Sequence, residues 1–290
     1  MKRKWLLTVS LATLLLASIG LNAYLTFGGF DSYLQNTDEI YIMEAGILRN
    51  NLEFTPDGTL ELTCDFDHED YVQLLESYNI AEIAGEGSEW EQALRLMDEF
   101  ASRLNHKSDY DNHVEMTALA LLEYSLDNKD QGINCRSKAQ ILNEMCLALG
   151  LYARKVWIMP NSGYDNDCHV VNEVWDSTLN KWVMLDITNN QYWVDETSTP
   201  LSVLEIREKG AMREFCTPVR PGDSLTALET LKEKYIGDFL YIMKNMTYMQ
   251  YCDCYTVGES ENIYLLFPEN LDTEHELMIS EDAVMRSPIA

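Results

Sequence analysis

The chain has 290 residues, of which 48 are acidic and 21 basic, so it carries a net charge of −27. That balance excludes a nucleic-acid binder and a protein held on an anionic membrane surface by charge. It suits a cationic substrate or a basic wall component, though an acidic surface that keeps an exported protein soluble explains it more simply. With 46% hydrophobic residues the chain can bury a substantial core in one domain, or one domain with a small appendage.

In chain order, the basic run MKRK precedes WLLTVSLATLLLASIGLNAYL, which comes near the ~20 apolar residues that span a bilayer. Positive-inside logic keeps the N-terminus in the cytoplasm and exports the rest. Residues 1–29 are therefore read as a signal anchor or a cleaved signal peptide with Ala23 at the cleavage position, and the long apolar run favours the anchor. No cysteine closes the segment, which disfavours a lipoprotein. Residues 41–63 read as two short strands around the turn PDGT, and SEWE opens a helix from Ser88 to Leu104 in the manner of a capping box. Its positions Trp90, Ala93, Leu94, Leu96, Met97 and Phe100 form a broad apolar face. A second helix is expected over Val114–Leu126, and the loop DNKDQG then delivers the chain to Cys135.

GINCRSKAQILNEMCLALGL at 132–151 carries a complete helix signature. Asn134 is a favoured N-cap, Ile141, Leu142, Met145, Cys146 and Leu149 recur at helical spacing, and Gly150 stops the helix. Cys135 thus falls on the first turn, where free N–H groups and the helix dipole favour a thiolate. The same amides can donate to an oxyanion. Next come DCHVVNEVW at 167–175 and KWVMLDIT at 181–188, two strands joined by the turn composition DSTLNK. An even-numbered loop pairs odd residues of the first strand with even residues of the second. His169 and Asp186 would then share a face, directly opposite or diagonal, with Cβ atoms roughly 5–8 Å apart. Nucleophile, base and orienting acid follow in that order.

Further along, EIREKGAMREF reads as helix, PVRPGDS as loop and Leu225–Tyr235 as helix. Strand-like segments follow near 238–256 and 262–267, then an acidic tail from 270 to 290 expected to be partly mobile. The seven cysteines are Cys64, Cys135, Cys146, Cys168, Cys216, Cys252 and Cys254. With one kept as a free nucleophile, six could pair, and sequence gives no connectivity. Cys146 reads as core, and Cys252 with Cys254 as core or disulfide. Cys168 beside His169 invites a metal reading with Asp167, which the opposite facing of neighbouring strand residues disfavours. The aromatics Tyr164, Trp175, Tyr192 and Trp193 are candidate lining of a substrate cleft.

These blocks resemble the transglutaminase-like superfamily, and in wording a bacterial branch of membrane-anchored or exported members. GINCR, LALGLYARKVWIMP, YDNDCHVVNEVW and LNKWVMLDIT carry the resemblance, with GEGSEWEQALRLMDEF, YDNHVEMTALALLEY and PLSVLEIREKGA around them. One departure is Ile187, where many relatives have Pro. The resemblance implies an α+β, papain-like core over residues 30–269, with a small β-rich C-terminal extension. It also implies a cysteine acyl-transfer site of Cys135, His169 and Asp186 that needs no metal or cofactor. Papain-like enzymes use an upstream side-chain amide in the oxyanion hole, which makes Gln131 a candidate. The expected substrate is a peptide, protein or cell-wall amide outside the cytoplasm, with hydrolysis preferred over transfer to an amine. The rival expectation is a non-catalytic surface module that holds a peptide or wall polymer in the same cleft, and a third is an accessory protein serving a partner. Sequence says nothing of oligomeric state.

Overall fold

The computed structural model describes residues 15, 18, 36–56, 61–127, 131–260 and 262–289. Apart from residues 15 and 18, the signal-anchor reading of residues 1–29 lies outside the described residues, as does most of the PDGT turn. Among the described residues no helix is long and apolar enough to cross a membrane. The chain divides into two compact units, residues 1–43 and 44–290.

Helix α1 (Thr37–Asn50) crosses that boundary. It replaces the strand expected from residue 41, because Ala45 and Leu48, three residues apart, bury one helical stripe. Within the second unit follow β1 (Thr63–Cys64), α2 (Glu69–Tyr78), α3 (Ile80–Ala84), α4 (Glu89–Ala101), α5 (Ala118–Asp127) and α6 (Cys135–Ala148). The strands β2 (Ala153–Met159), β3 (His169–Asp176), β4 (Lys181–Asp186) and β5 (Gln191–Asp195) are consecutive. After them come α7 (Val203–Met212), β6 (Cys216–Val219), α8 (Leu228–Lys234), α9 (Ile236–Lys244), β7 (Tyr248–Cys252), β8 (Cys254–Tyr255), β9 (Ile263–Leu266) and α10 (Glu281–Met285). The strand expected from 238 is helix α9 as far as Lys244. Its β-like composition is overridden by Phe239, Leu240, Ile242 and Met243, which bury at helical spacing.

The main sheet runs β6-β5-β4-β3-β2-β7-β9, with every described neighbour antiparallel. This is the mixed α+β architecture expected above, with the Cys135 helix packed on an antiparallel sheet. All of β3 is buried, which means both faces of the sheet are covered. On one side Val174, Leu185, Tyr192 and Val194 pack with Leu96, Met97, Ile141 and Met145 of α4 and α6. On the other, Trp193 stacks on Phe239 of α9 with ring centroids 5.4 Å apart. Arg154 and Glu173 form a buried ion pair there, and the Arg154 guanidinium also donates to the carbonyl of Val284 in α10 (2.7 Å). The C-terminal segment is therefore tied to the sheet although its sequence carries no periodic signal. Ile279 and Val284 are buried, and Leu265 bridges Met278.

Candidate active site

Helix α6 begins as its sequence dictates. Asn134 Oδ1 accepts the N–H of Ser137 (3.0 Å), and Gly150 adopts φ 76° just past the helix, in the left-handed region that glycine enters freely. Immediately upstream, Ile133 pairs with His106: its N–H donates to the Asn105 carbonyl and its carbonyl accepts from the Lys107 N–H. Gly132 permits this approach: a Cβ there would lie 2.8 Å from Lys107 Cβ and 3.0 Å from the His106 carbonyl carbon. A strap at 105–107 thus fixes the turn that presents Cys135.

The β3–β4 hairpin has a four-residue loop, and its register pairs Asp176 with Lys181 and Asn172 with Leu185. Odd residues face even ones. Extending that register places Asp186 opposite Val171 and diagonal to His169, on one face. His169 Nε2 meets Asp186 Oδ2 at 2.9 Å, and both side chains are buried. The other ring nitrogen is left for the Cys135 thiol, which is hydrogen-bonded to His169 and to the backbone N–H of Val170. The structure therefore brings Cys135, His169 and Asp186 together.

Electrostatics follow from that contact. Burial pushes the Cys135 thiol up, but the hydrogen bond and positive charge of His169, with the Val170 N–H, outweigh it and hold the thiol below its ordinary range. Burial pulls the His169 imidazole down, yet the Asp186 carboxylate and the thiol raise it to about 10. Burial likewise opposes ionisation of Asp186, and the His169 charge and Asn189 lower it overall. The lowered thiol and the raised imidazole both favour the thiolate–imidazolium form of the pair.

Three supporting residues carry little or no sequence signal. Asn189 donates its side-chain N–H to Asp186 Oδ2 (2.9 Å), while the backbone N–H groups of Thr188 and Asn189 donate to Oδ1. The DITNN run could have suggested this as an Asx turn. Tyr241 of α9 sets its ring edge-on to His169, 5.5 Å between centroids, and its hydroxyl donates to Asp167 (3.0 Å). Lys138, one helical turn past Cys135, is buried, and its ammonium is felt by Asp186 and Cys135.

The remaining site candidates fall elsewhere. Gln131 is half-buried on the segment the strap holds, four residues before Cys135. Tyr164 is 99% exposed, on the loop before β3. Trp175, Tyr192 and Trp193 are core residues rather than cleft lining: Trp175 packs against Trp182, Tyr192 against Trp90 and Trp193 against Phe239. Strands covered on both faces bury aromatics of either parity, so alternation along the chain could not sort cleft from core. All seven cysteines are free thiols. Cys252 ends β7 and Cys254 begins β8. Among the described residues no cluster of metal-ligating side chains occurs.

Residues 78–187, which include all three residues of the cluster, match the family profile described as Transglutaminase-like superfamily. Among curated proteins no sequence matches the chain. A solved structure similar to this chain is described as "a Putative Cysteine Protease from Cytophaga hutchinsonii", at 18% identity and a TM-score of 0.31. The similarity covers 48% of this chain and 47% of that one, so it spans about half the length of each.

Proposed function

We propose that this protein is a cysteine-dependent acyl-transfer enzyme that attacks an amide carbonyl with the Cys135 thiolate. The observation that carries the reading is the buried His169–Asp186 hydrogen bond of 2.9 Å with the thiol on the other side of the same imidazole. Attack forms the C–S bond and a tetrahedral oxyanion, which the backbone N–H groups at the start of α6 would stabilise. Imidazolium then protonates the leaving nitrogen, the C–N bond breaks and a thioester remains. Water, deprotonated by the now neutral imidazole, releases the acid. Asp186 orients the ring and stays ionised. Gln131 is the proposed side-chain donor to the oxyanion. Hydrolysis is preferred to amine transfer because a site facing water meets far more water than amine. The basic and apolar N-terminal run supports an exported or anchored protein acting on a peptide, protein or wall amide.

The test is the pH dependence of iodoacetamide labelling at Cys135 in the full chain, with mass spectrometry locating the label. The reading expects fast labelling below pH 7 that is lost in His169→Ala. Labelling only near the ordinary thiol pKa of about 8.5 would overturn it and favour a module that merely holds a peptide or polymer.

A further inference from the structure

We infer that the cavity beside Cys135 is a substrate subsite for a carboxylate, so that the preferred substrate is a peptide-type amide with an acidic group flanking the scissile bond. The inference rests on the acyl-transfer reading above.

The cavity measures about 540 Å³ and is lined by Arg136, Trp157, Gln250, Glu259, Ser260 and Ile263. That volume lies within the usual range of about 300–1,000 Å³ for small-ligand sites. Its link to the nucleophile is structural. Val170, whose N–H faces the Cys135 sulfur, pairs across the sheet with Trp157, and Trp157 pairs with Gln250. Adjacent strands lie ~4.8 Å apart, so this row carries the cavity floor roughly 5–10 Å from β3, the strand whose Val170 N–H meets the Cys135 thiol of α6. Cys135 and Ile263 pack on the same apolar cluster as Trp157. A group bound there would sit within one or two residues of an amide under attack.

The charges around the cavity set its preference. Arg136 directs Nε and one terminal nitrogen at the Glu259 carboxylate, with Nε to Oε1 at 2.9 Å. Lys155, buried beneath, donates to the same carboxylate at 2.5 Å and lies 4.9 Å from the Trp157 ring centroid. Two cations thus share one carboxylate. Among the described residues, Asp253 near Ser260 is already held by Ser260, Asn262 and the Cys254 N–H. Glu144 lies behind the loop and is bonded to the Gly258 N–H. A guanidinium has a second bidentate edge, formed by its two terminal nitrogens, that matches a carboxylate in plane. The Arg136 side chain is 43% exposed, and Glu259 fixes its plane while that edge remains for a ligand. Trp157 supplies an apolar floor for the methylenes that carry the acid. In a chain of net charge −27, such a cationic edge beside the nucleophile is the reverse of the surrounding field.

The test uses matched dipeptide chloromethyl ketones on the full chain, with Glu or Gln at either position next to the warhead. The thiolate displaces chloride, forming a C–S bond as C–Cl breaks, so labelling at Cys135 reports binding without a known substrate. At low ionic strength the Glu probe is expected to label about tenfold faster than its Gln partner at one of the two positions, the scale of one charge-assisted pair. The ratio should fall to one or below in Arg136→Gln and rise in Glu259→Gln, which frees both cations; a merely structural Arg136–Glu259 pair would move both variants the same way. A ratio near one in the native protein, or one unchanged by Arg136→Gln, overturns the subsite. If iodoacetamide labelling below pH 7 still depends on His169, the enzyme reading survives that loss. If it does not, both fall.

Discussion

Replacing Asp186 with Asn separates the charge of the acid from its shape. In the native site Oδ2 accepts from His169 and Asn189, and Oδ1 accepts from two backbone N–H groups. An amide has one acceptor oxygen, so whichever way it turns, its NH2 faces two of those four donors. Each buried group left unsatisfied costs about 1–3 kcal/mol, and Tm should fall accordingly. The larger effect is electrostatic. Without the carboxylate only the thiol supports the His169 charge against burial, and the ring falls from about 10 toward its ordinary 6.5. The imidazolium is lost near neutrality, and Cys135 returns to about 8.5 or higher. At pH 6.5 such a thiol is only about 1% ionised, a loss of thiolate of up to roughly 100-fold. The lower intrinsic nucleophilicity of a low-pKa thiolate takes back several-fold, so labelling at pH 6.5 should slow by about tenfold or more. The pH–rate midpoint is the cleaner readout, since nucleophilicity does not move it. It should rise in Asp186→Asn to 8.5 or above. A folded variant whose midpoint equals that of the native protein would refute the ion-pair argument.

Two further predictions concern the scaffold. Gly132→Ala drives a Cβ into Lys107 and the His106 backbone, so about 1–3 kcal/mol of overpacking should lower Tm and slow Cys135 labelling together; a native Tm would mean that the strap does not lie against this turn. Glu144, buried and bonded to Gln140, Ala118 and Gly258, has its carboxyl raised to about 7 by burial. The folded state therefore favours the protonated form, and its contribution to stability is full below about 4.5 and is lost as pH rises through 7. At 1.36 kcal/mol per pH unit the loss is about 3 kcal/mol. Denaturant unfolding from pH 4.5 to 7.5 should show that fall in the native protein and a flatter profile in Glu144→Gln; parallel profiles would refute it.

The nucleophile helix and the hairpin were legible in the sequence because their signals are local. Asn134 and Gly150 bracket α6 by capping chemistry, and the even loop after Asp176 sets the parity that puts His169 and Asp186 on one face. The antiparallel α+β core follows from those blocks. Composition misled where tertiary burial chose the period: residues 41–50 and 238–244 have strand-like content but bury a helical stripe. The cleft aromatics failed for a related reason, since a sheet covered on both faces buries Trp175, Tyr192 and Trp193 alike. No sequence pattern could place Tyr241 against His169, 72 positions before it, or Glu259 against Arg136. Such pairs are decided when the chain closes on itself. Local backbone and capping energies act within a few residues, whereas the surroundings of the thiol depend on how α6, α9 and the β8–β9 loop pack around one end of the sheet.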